Sequence, residues 1–120
     1  PDSGACYLLP RIIRLDKALE ILYTGDWIDA EEAFHMGILT KLVSSENLAD
    51  ETDAMATKIS SSPPMVTRYV KQLVYKGLDS DLPTALEMTA AMTAMTMFSR
   101  DHEEGVAAWK EKREPDYQGR

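Results

Sequence analysis

Glu104-Gly105-Val106-Ala107-Ala108-Trp109-Lys110-Glu111-Lys112-Arg113-Glu114-Pro115-Asp116-Tyr117-Gln118-Gly119-Arg120 closes the chain and reads as the body of a helix brought to a forced stop. Just upstream, Asp101 precedes Glu104 by three residues, the spacing of a capping box, so the helix is expected to begin there. It must end before Pro115, which has no amide hydrogen to donate and whose ring crowds the preceding turn. Lys110, Lys112 and Arg113 fall in its last turn, where cations complement the negative end of the helix dipole.

Working back along the chain, a long helix starts near Asp81 and carries Ala85, Met88, Met92 and Met95 at alternating spacings of three and four. Such a methionine stripe belongs to a core or to a subunit interface, and an interface is expected here. Before it, Val66, Tyr69, Val70, Leu73 and Val74 recur at i, i+3, i+4, i+7 and i+8, with Arg68, Lys71 and Lys76 on other faces. Ser62 is placed to cap that helix, with Pro63 at its first position, where a missing N–H costs nothing. Leu48, Thr52, Met55 and Ile59 mark one face of a further helix that ends in Ser60-Ser61-Ser62-Pro63-Pro64.

Nearer the start, Asp29 and Glu32 have the capping-box relation and Gly37 stops the short helix they open. Leu15, Ala18, Leu19 and Leu22 form another helical face, with Asp16 as its expected cap and Gly25 at its end. Residues 38–43 are short and rich in branched side chains, so a strand is expected there, though nothing else in the chain would pair with it. The expected fold class is therefore mainly α, with one short strand near 38–43.

A chain of 120 residues fits one domain. Thirteen Lys and Arg against twenty Asp and Glu leave a net charge of −7, the wrong sign for general binding to nucleic acid or an anionic membrane. The single Cys6 has no partner for an internal disulfide, and two histidines beside it give no zinc spacing, so no metal is expected and a reducing, cytoplasmic setting suits the composition. No apolar run is long enough to span a bilayer. The chain starts at Pro1 with no initiating methionine, and is expected to be a fragment whose upstream part would carry any leader.

The opening Pro1-Asp2-Ser3-Gly4-Ala5-Cys6-Tyr7-Leu8-Leu9-Pro10-Arg11, then Leu22-Tyr23-Thr24-Gly25-Asp26, Asp29-Ala30-Glu31-Glu32-Ala33 and Met36-Gly37-Ile38-Leu39, together with the closing stretch, carry a resemblance along the whole chain. In order, they resemble the C-terminal part of an enoyl-CoA hydratase/isomerase of the crotonase family. The resemblance implies the helical C-terminal part of an α/β crotonase-like fold. Residues 1–43 would end the core and residues 44–120 would form a C-terminal oligomerisation region, in one folded unit whose N-terminal half is absent. It implies an acyl-CoA thioester as substrate with no separate cofactor, and a homotrimer or hexamer in the parent. The parent's chemistry would be enolate stabilisation at an unsaturated acyl-CoA, with double-bond isomerisation slightly favoured. The fragment alone would be inactive, since the oxyanion-hole amides would precede Pro1. A non-catalytic helical assembly module is the alternative.

Carried over residue by residue, Asp2 matches an aspartate that faces the acyl group in crotonase-family isomerases, where a partly desolvated carboxylate can shuttle a proton to or from carbon. The other reading of Asp2 is a turn residue that bonds its own backbone or caps the next helix. Gly4, with Ala5 in place of a second glycine, stands where a helix N-terminus could face a polar group of the substrate. A simple tight entry into the helix is the other possibility. Lys112 matches a lysine that in some family hydratases reaches the phosphates of CoA bound at a neighbouring subunit, set against its role at the helix dipole. His35 and His102 are expected to be structural or solvated, and Cys6 to pack.

Overall fold

Two aspartates show how local chemistry starts these helices. Asp29 Oδ1 accepts the Glu32 amide at 2.8 Å, and Asp81 Oδ1 accepts the Thr84 amide at 2.8 Å, each satisfying a first-turn N–H that has no partner inside its helix. The structure, a computed structural model, describes residues 2–120. Its helices are α1 (Ala5–Ile12), α2 (Leu15–Thr24), α3 (Ala30–His35), α4 (Leu48–Ser60), α5 (Pro64–Gly77), α6 (Leu82–Met97) and α7 (Arg100–Glu111), with a 3₁₀ turn at Ser45–Asn47 before α4. The fold is mainly α, and no strand occurs among the described residues.

The strand expected at 38–43 is replaced by irregular chain. Gly37 turns the backbone at φ 86°, which lets the amides of Ile38 and Leu39 donate back to the Ala33 carbonyl at 2.9 and 3.4 Å. Branched side chains favour a strand only where a neighbour supplies the ladder. Three expected caps also shift. Arg14, not Asp16, precedes α2, and the Asp16 carboxylate pairs with the Arg14 guanidinium at 3.0 Å. Pro63 occupies the cap position of α5 with Pro64 inside the first turn, so Ser62 does not cap it. Ser99 Oγ accepts the His102 amide at 3.1 Å and caps α7, which frees Asp101 and Glu104 from that task.

The chain divides into two compact units, one running to Ala49 and the other from Asp50 to Arg120. In the first, α1 packs on α2, and Ile13, Ala18 and Ala33 are buried. In the second, α6 packs on both α5 and α7. Ala85, Met88 and Met92 lie half-buried along α6, and Met95 receives the Tyr69 hydroxyl of α5 at 3.8 Å. The apolar face of α5 is wider than its partner covers: Tyr69 and Leu73 are half-buried, whereas Val66, Val70 and Val74, spaced by four, are exposed.

The tail beyond α7 is an extended strap. Pro115, Tyr117 and Gly119 are half-buried while Asp116, Gln118 and Arg120 are exposed, the alternation of an extended chain with one side on protein. Asp101, 3% exposed, accepts the amides of Gln118 and Gly119 at 2.7 and 2.8 Å, and its own amide donates to the Arg120 carbonyl at 3.1 Å. Tyr117 crosses α7 at Gly105, where a Cβ would stand 3.1 Å from the Tyr117 hydroxyl. Gly119 reaches the start of α5 with φ 75°, and a Cβ on it would stand 3.4 Å from Pro64 Cβ.

Asp101→Ala is expected to destabilise the protein by about 2–3 kcal/mol, because two part-buried amides of the strap lose a charged acceptor. Urea unfolding measures the loss, and amide exchange at Gln118 and Gly119 should rise to that of unstructured chain. Retained protection at both positions would show that something other than this carboxylate holds the strap.

Candidate functional site

The turn that carries Asp2 is made by the backbone. The Asp2 carbonyl accepts the Ala5 amide at 2.9 Å, and Ser3 and Gly4 both take positive φ, 52° and 84°. Gly4 then opens α1, its carbonyl accepting the amides of Tyr7 and Leu8 at 3.0 and 2.9 Å. A Cβ on Gly4 would meet only Leu8 Cδ1, at 3.8 Å, so the glycine answers to its left-handed backbone and not to lack of space. The Asp2 carboxylate is exposed, and among the described residues no group donates to it. The amide of Ala5 is occupied by the turn, which narrows what the N-terminus of α1 can offer a ligand.

Lys112 follows the last residue of α7 in the left-handed conformation, φ 55° and ψ 40°. Its amide donates to the Trp109 carbonyl at 3.3 Å, and the Arg113 amide reaches back to the Ala108 carbonyl at 3.1 Å, a Schellman-type closure in which glycine is the usual residue. The lysine is exposed, and its ammonium has no carboxylate partner among the described residues. It lines an open depression of about 560 Å³ with Ala108, Trp109, Lys110 and Arg113; the Trp109 ring is 80% exposed.

Arg113, beside it, is fully engaged. Its fork meets both oxygens of Glu104, Nη2 to Oε2 at 2.9 Å, its Nε donates to Glu111 Oε2 at 2.6 Å, and its Nη1 also donates to the Glu114 carbonyl at 3.2 Å. Glu104 Oε1 accepts the Asp116 amide at 2.9 Å as well. The Arg113 guanidinium, followed by that amide, lowers the Glu104 carboxyl from its ordinary 4.5 to about 2, and the same pairing raises Arg113.

Asp2 and Gly4 thus share one turn in the first unit, and Lys112 belongs to the second. His35 Nδ1 lies 2.7 Å from the Glu31 carbonyl, with its ring edge-on to Phe34, an arrangement internal to α3. Cys6, expected to pack, is exposed. Sequence reasoning gave no place to Ser3. Among the described residues, Ser3 and Lys112 are the non-glycine positions with positive φ, and one adjoins Asp2 while the other is itself a candidate. Backbone held in such a sparsely populated region gathers at functional sites.

The Enoyl-CoA hydratase/isomerase family model matches residues 1–120. The chain belongs to the enoyl-CoA hydratase/isomerase family. It is similar to a crotonyl-CoA hydratase of Syntrophomonas wolfei, 32% identical over 117 residues that are 98% of this chain and 45% of that protein. It is also similar to a 1,2-epoxyphenylacetyl-CoA isomerase of Escherichia coli, 29% identical over 120 residues, all of this chain and 46% of that protein. The crystal structure of an enoyl-CoA hydratase from Bacillus anthracis superposes with a TM-score of 0.97 at 35% identity, covering 100% of this chain and 46% of that one. The helical fold matches the C-terminal part of these crotonase-fold enzymes. The chain spans just under half the length of these two relatives.

Lys112→Gly is expected to raise stability by up to about 1 kcal/mol: relief of a left-handed Cβ, on the order of 1–2 kcal/mol, exceeds the extra unfolded-state freedom of glycine. A lower urea midpoint for the variant would show that the lysine is not strained there. A second expectation follows from Glu104. Its carboxyl lies near 4.5 when unfolded and about 2 when folded, so its contribution is complete above about pH 5 and is lost as pH falls from 4.5 toward 2. Urea midpoints measured across that window should fall more steeply for wild type than for Glu104→Gln; parallel curves would assign the acid sensitivity elsewhere.

Proposed function

We propose that this chain is the C-terminal part of an enzyme that binds an unsaturated acyl-CoA thioester, stabilises an enolate at the thioester oxygen, and moves a proton along the adjacent carbons. The observation that carries this reading is the match of every residue to one enzyme family, joined by a TM-score of 0.97 to an enoyl-CoA hydratase. The relatives include both a hydratase and an isomerase at similar identity, so the choice between these chemistries turns on the chain's own residues. Asp2 favours isomerisation. Its carboxylate is spared by a turn that the backbone closes alone, and an uncommitted carboxylate at a fixed turn can take a proton from one carbon and return it to another.

The enolate oxygen needs hydrogen-bond donors, and beside Asp2 the Ala5 amide is already bonded within the turn. In this reading the oxyanion hole belongs to the remainder of the enzyme, and the 120-residue segment by itself is catalytically silent. Lys112 meets a phosphate of CoA bound at a neighbouring subunit, a role suited to an exposed ammonium with no carboxylate partner among the described residues. Gly4 gives α1 an entry that brings its first turn toward the substrate. The open apolar faces of α5 and α6, where Val66, Val70, Val74, Leu82 and Leu86 are exposed, support assembly of the parent into a trimer or hexamer. They equally favour the second reading, a helical assembly module without chemistry. The enzyme is cytoplasmic in this reading, a setting that suits a free exposed thiol at Cys6.

Asp2→Asn in the full-length enzyme is expected to lower kcat on a 3-enoyl-CoA by about 10²–10⁴, with KM and thermal stability close to wild type. A kcat near wild type would return Asp2 to the turn, and a loss of stability matching the loss of rate would make it structural.

A further inference from the structure

We infer that Glu104 is a positioning residue that acts through Arg113: it holds the left-handed closure of α7 and so fixes where the Lys112 ammonium stands for the phosphates of coenzyme A. The inference rests on the reading of Lys112 given above. Lys112 itself has only backbone bonds, yet the residues on both of its sides are tied down. Arg113 Nε bonds Glu111 Oε2 at 2.6 Å, linking the side chains before and after the lysine across it. The two terminal nitrogens of the guanidinium grip Glu104, earlier on α7, with Nη2 at 2.9 Å, and Nη1 also donates to the Glu114 carbonyl at 3.2 Å. Glu104 also takes the Asp116 amide at 2.9 Å, so one carboxylate joins the helix, the closure and the strap.

A long, mobile lysine loses affinity through the freedom it gives up on binding, and holding the backbone that carries it reduces that loss. The depression around it holds Lys110, Lys112 and Arg113, and Arg113 is already matched by Glu104 and Glu111. Its unmatched charge therefore comes from the lysines, and the arginine serves as the joint.

Charge alone makes the opposite prediction to positioning, which gives the test its discrimination. Removing the Glu104 carboxylate deletes a negative charge near a polyanion and by Coulomb attraction alone would tighten binding. Loss of positioning would weaken it. The experiment is isothermal titration of the full-length protein with coenzyme A and with pantetheine, which lacks the adenosine phosphates. Lys112→Ala is expected to weaken coenzyme A about tenfold, with pantetheine unchanged. Glu104→Gln, which preserves the shape and an acceptor for the Asp116 amide, is expected to weaken coenzyme A about three- to tenfold, again with pantetheine unchanged. The double variant should bind coenzyme A no more weakly than Lys112→Ala alone. If Lys112→Ala weakens binding while Glu104→Gln leaves it equal or tighter, the positioning role is overturned and the lysine stands. Losses that multiply in the double variant, or that fall equally on coenzyme A and pantetheine, overturn it too. An unchanged affinity in Lys112→Ala would remove the reading of Lys112 and this inference with it.

Discussion

The carboxylates of Asp101 and Glu104, one turn apart on α7, take backbone amides from a strap that has no secondary structure of its own. Asp101 accepts two of them and Glu104 a third, together with the fork of Arg113. An irregular segment laid against a helix would leave its amides without partners, and buried amides without partners cost more than most surface contacts return. Acidic side chains meet that need without a second strand. The strap in turn lays Tyr117 over Gly105 and brings Gly119 to Pro64, so α7 is joined to the start of α5 through the tail. The helices of the second unit are thus held from outside as well as by their mutual packing, which leaves no large side chain fully buried among the described residues.

The parts of the fold that were legible in the sequence are those decided within one turn of chain. Asp29 and Asp81 cap because their partners lie three residues on, and Gly25 and Gly37 end helices through their own backbone freedom. Asp101 and Glu104 have the same spacing as the Asp29 and Glu32 pair, yet their partners lie nine to eighteen residues away. Spacing along a helix says which carboxylates share a face and nothing about which segment crosses it. Ser99, two residues before Asp101, takes the capping role instead. The strand at 38–43 failed for the converse reason: its composition suited a ladder, and the Ala33 carbonyl collected its first amides.

The candidate site was legible only through resemblance. Asp2, Gly4 and Lys112 are ordinary residue types, and neither period nor composition sets them apart. The feature that does is conformational: Ser3 and Lys112 hold positive φ without being glycine. A glycine at such a position announces itself in a sequence, whereas serine and lysine conceal it. A lysine in a conformation that glycine adopts more easily marks Lys112 as a position to test by substitution.

The electrostatic setting says what kind of role a lysine there can have. The chain carries a net charge of −7, so it offers no broad attraction to a polyanion, and at physiological salt charges more than about 8 Å away are largely screened. Binding of phosphate at Lys112 would depend on the few groups within that distance. Of these, Arg113 is matched by Glu104 and Glu111, and the lysines supply the remaining charge. An ammonium at close range gains most when its position is set before the ligand arrives, since a side chain that must be ordered on binding gives back much of what the charge provides. Glu104 and Glu111 therefore do not merely oppose a basic site: by engaging Arg113 they tie together the residues on both sides of Lys112, and they leave the unpaired positive charge there on the lysines.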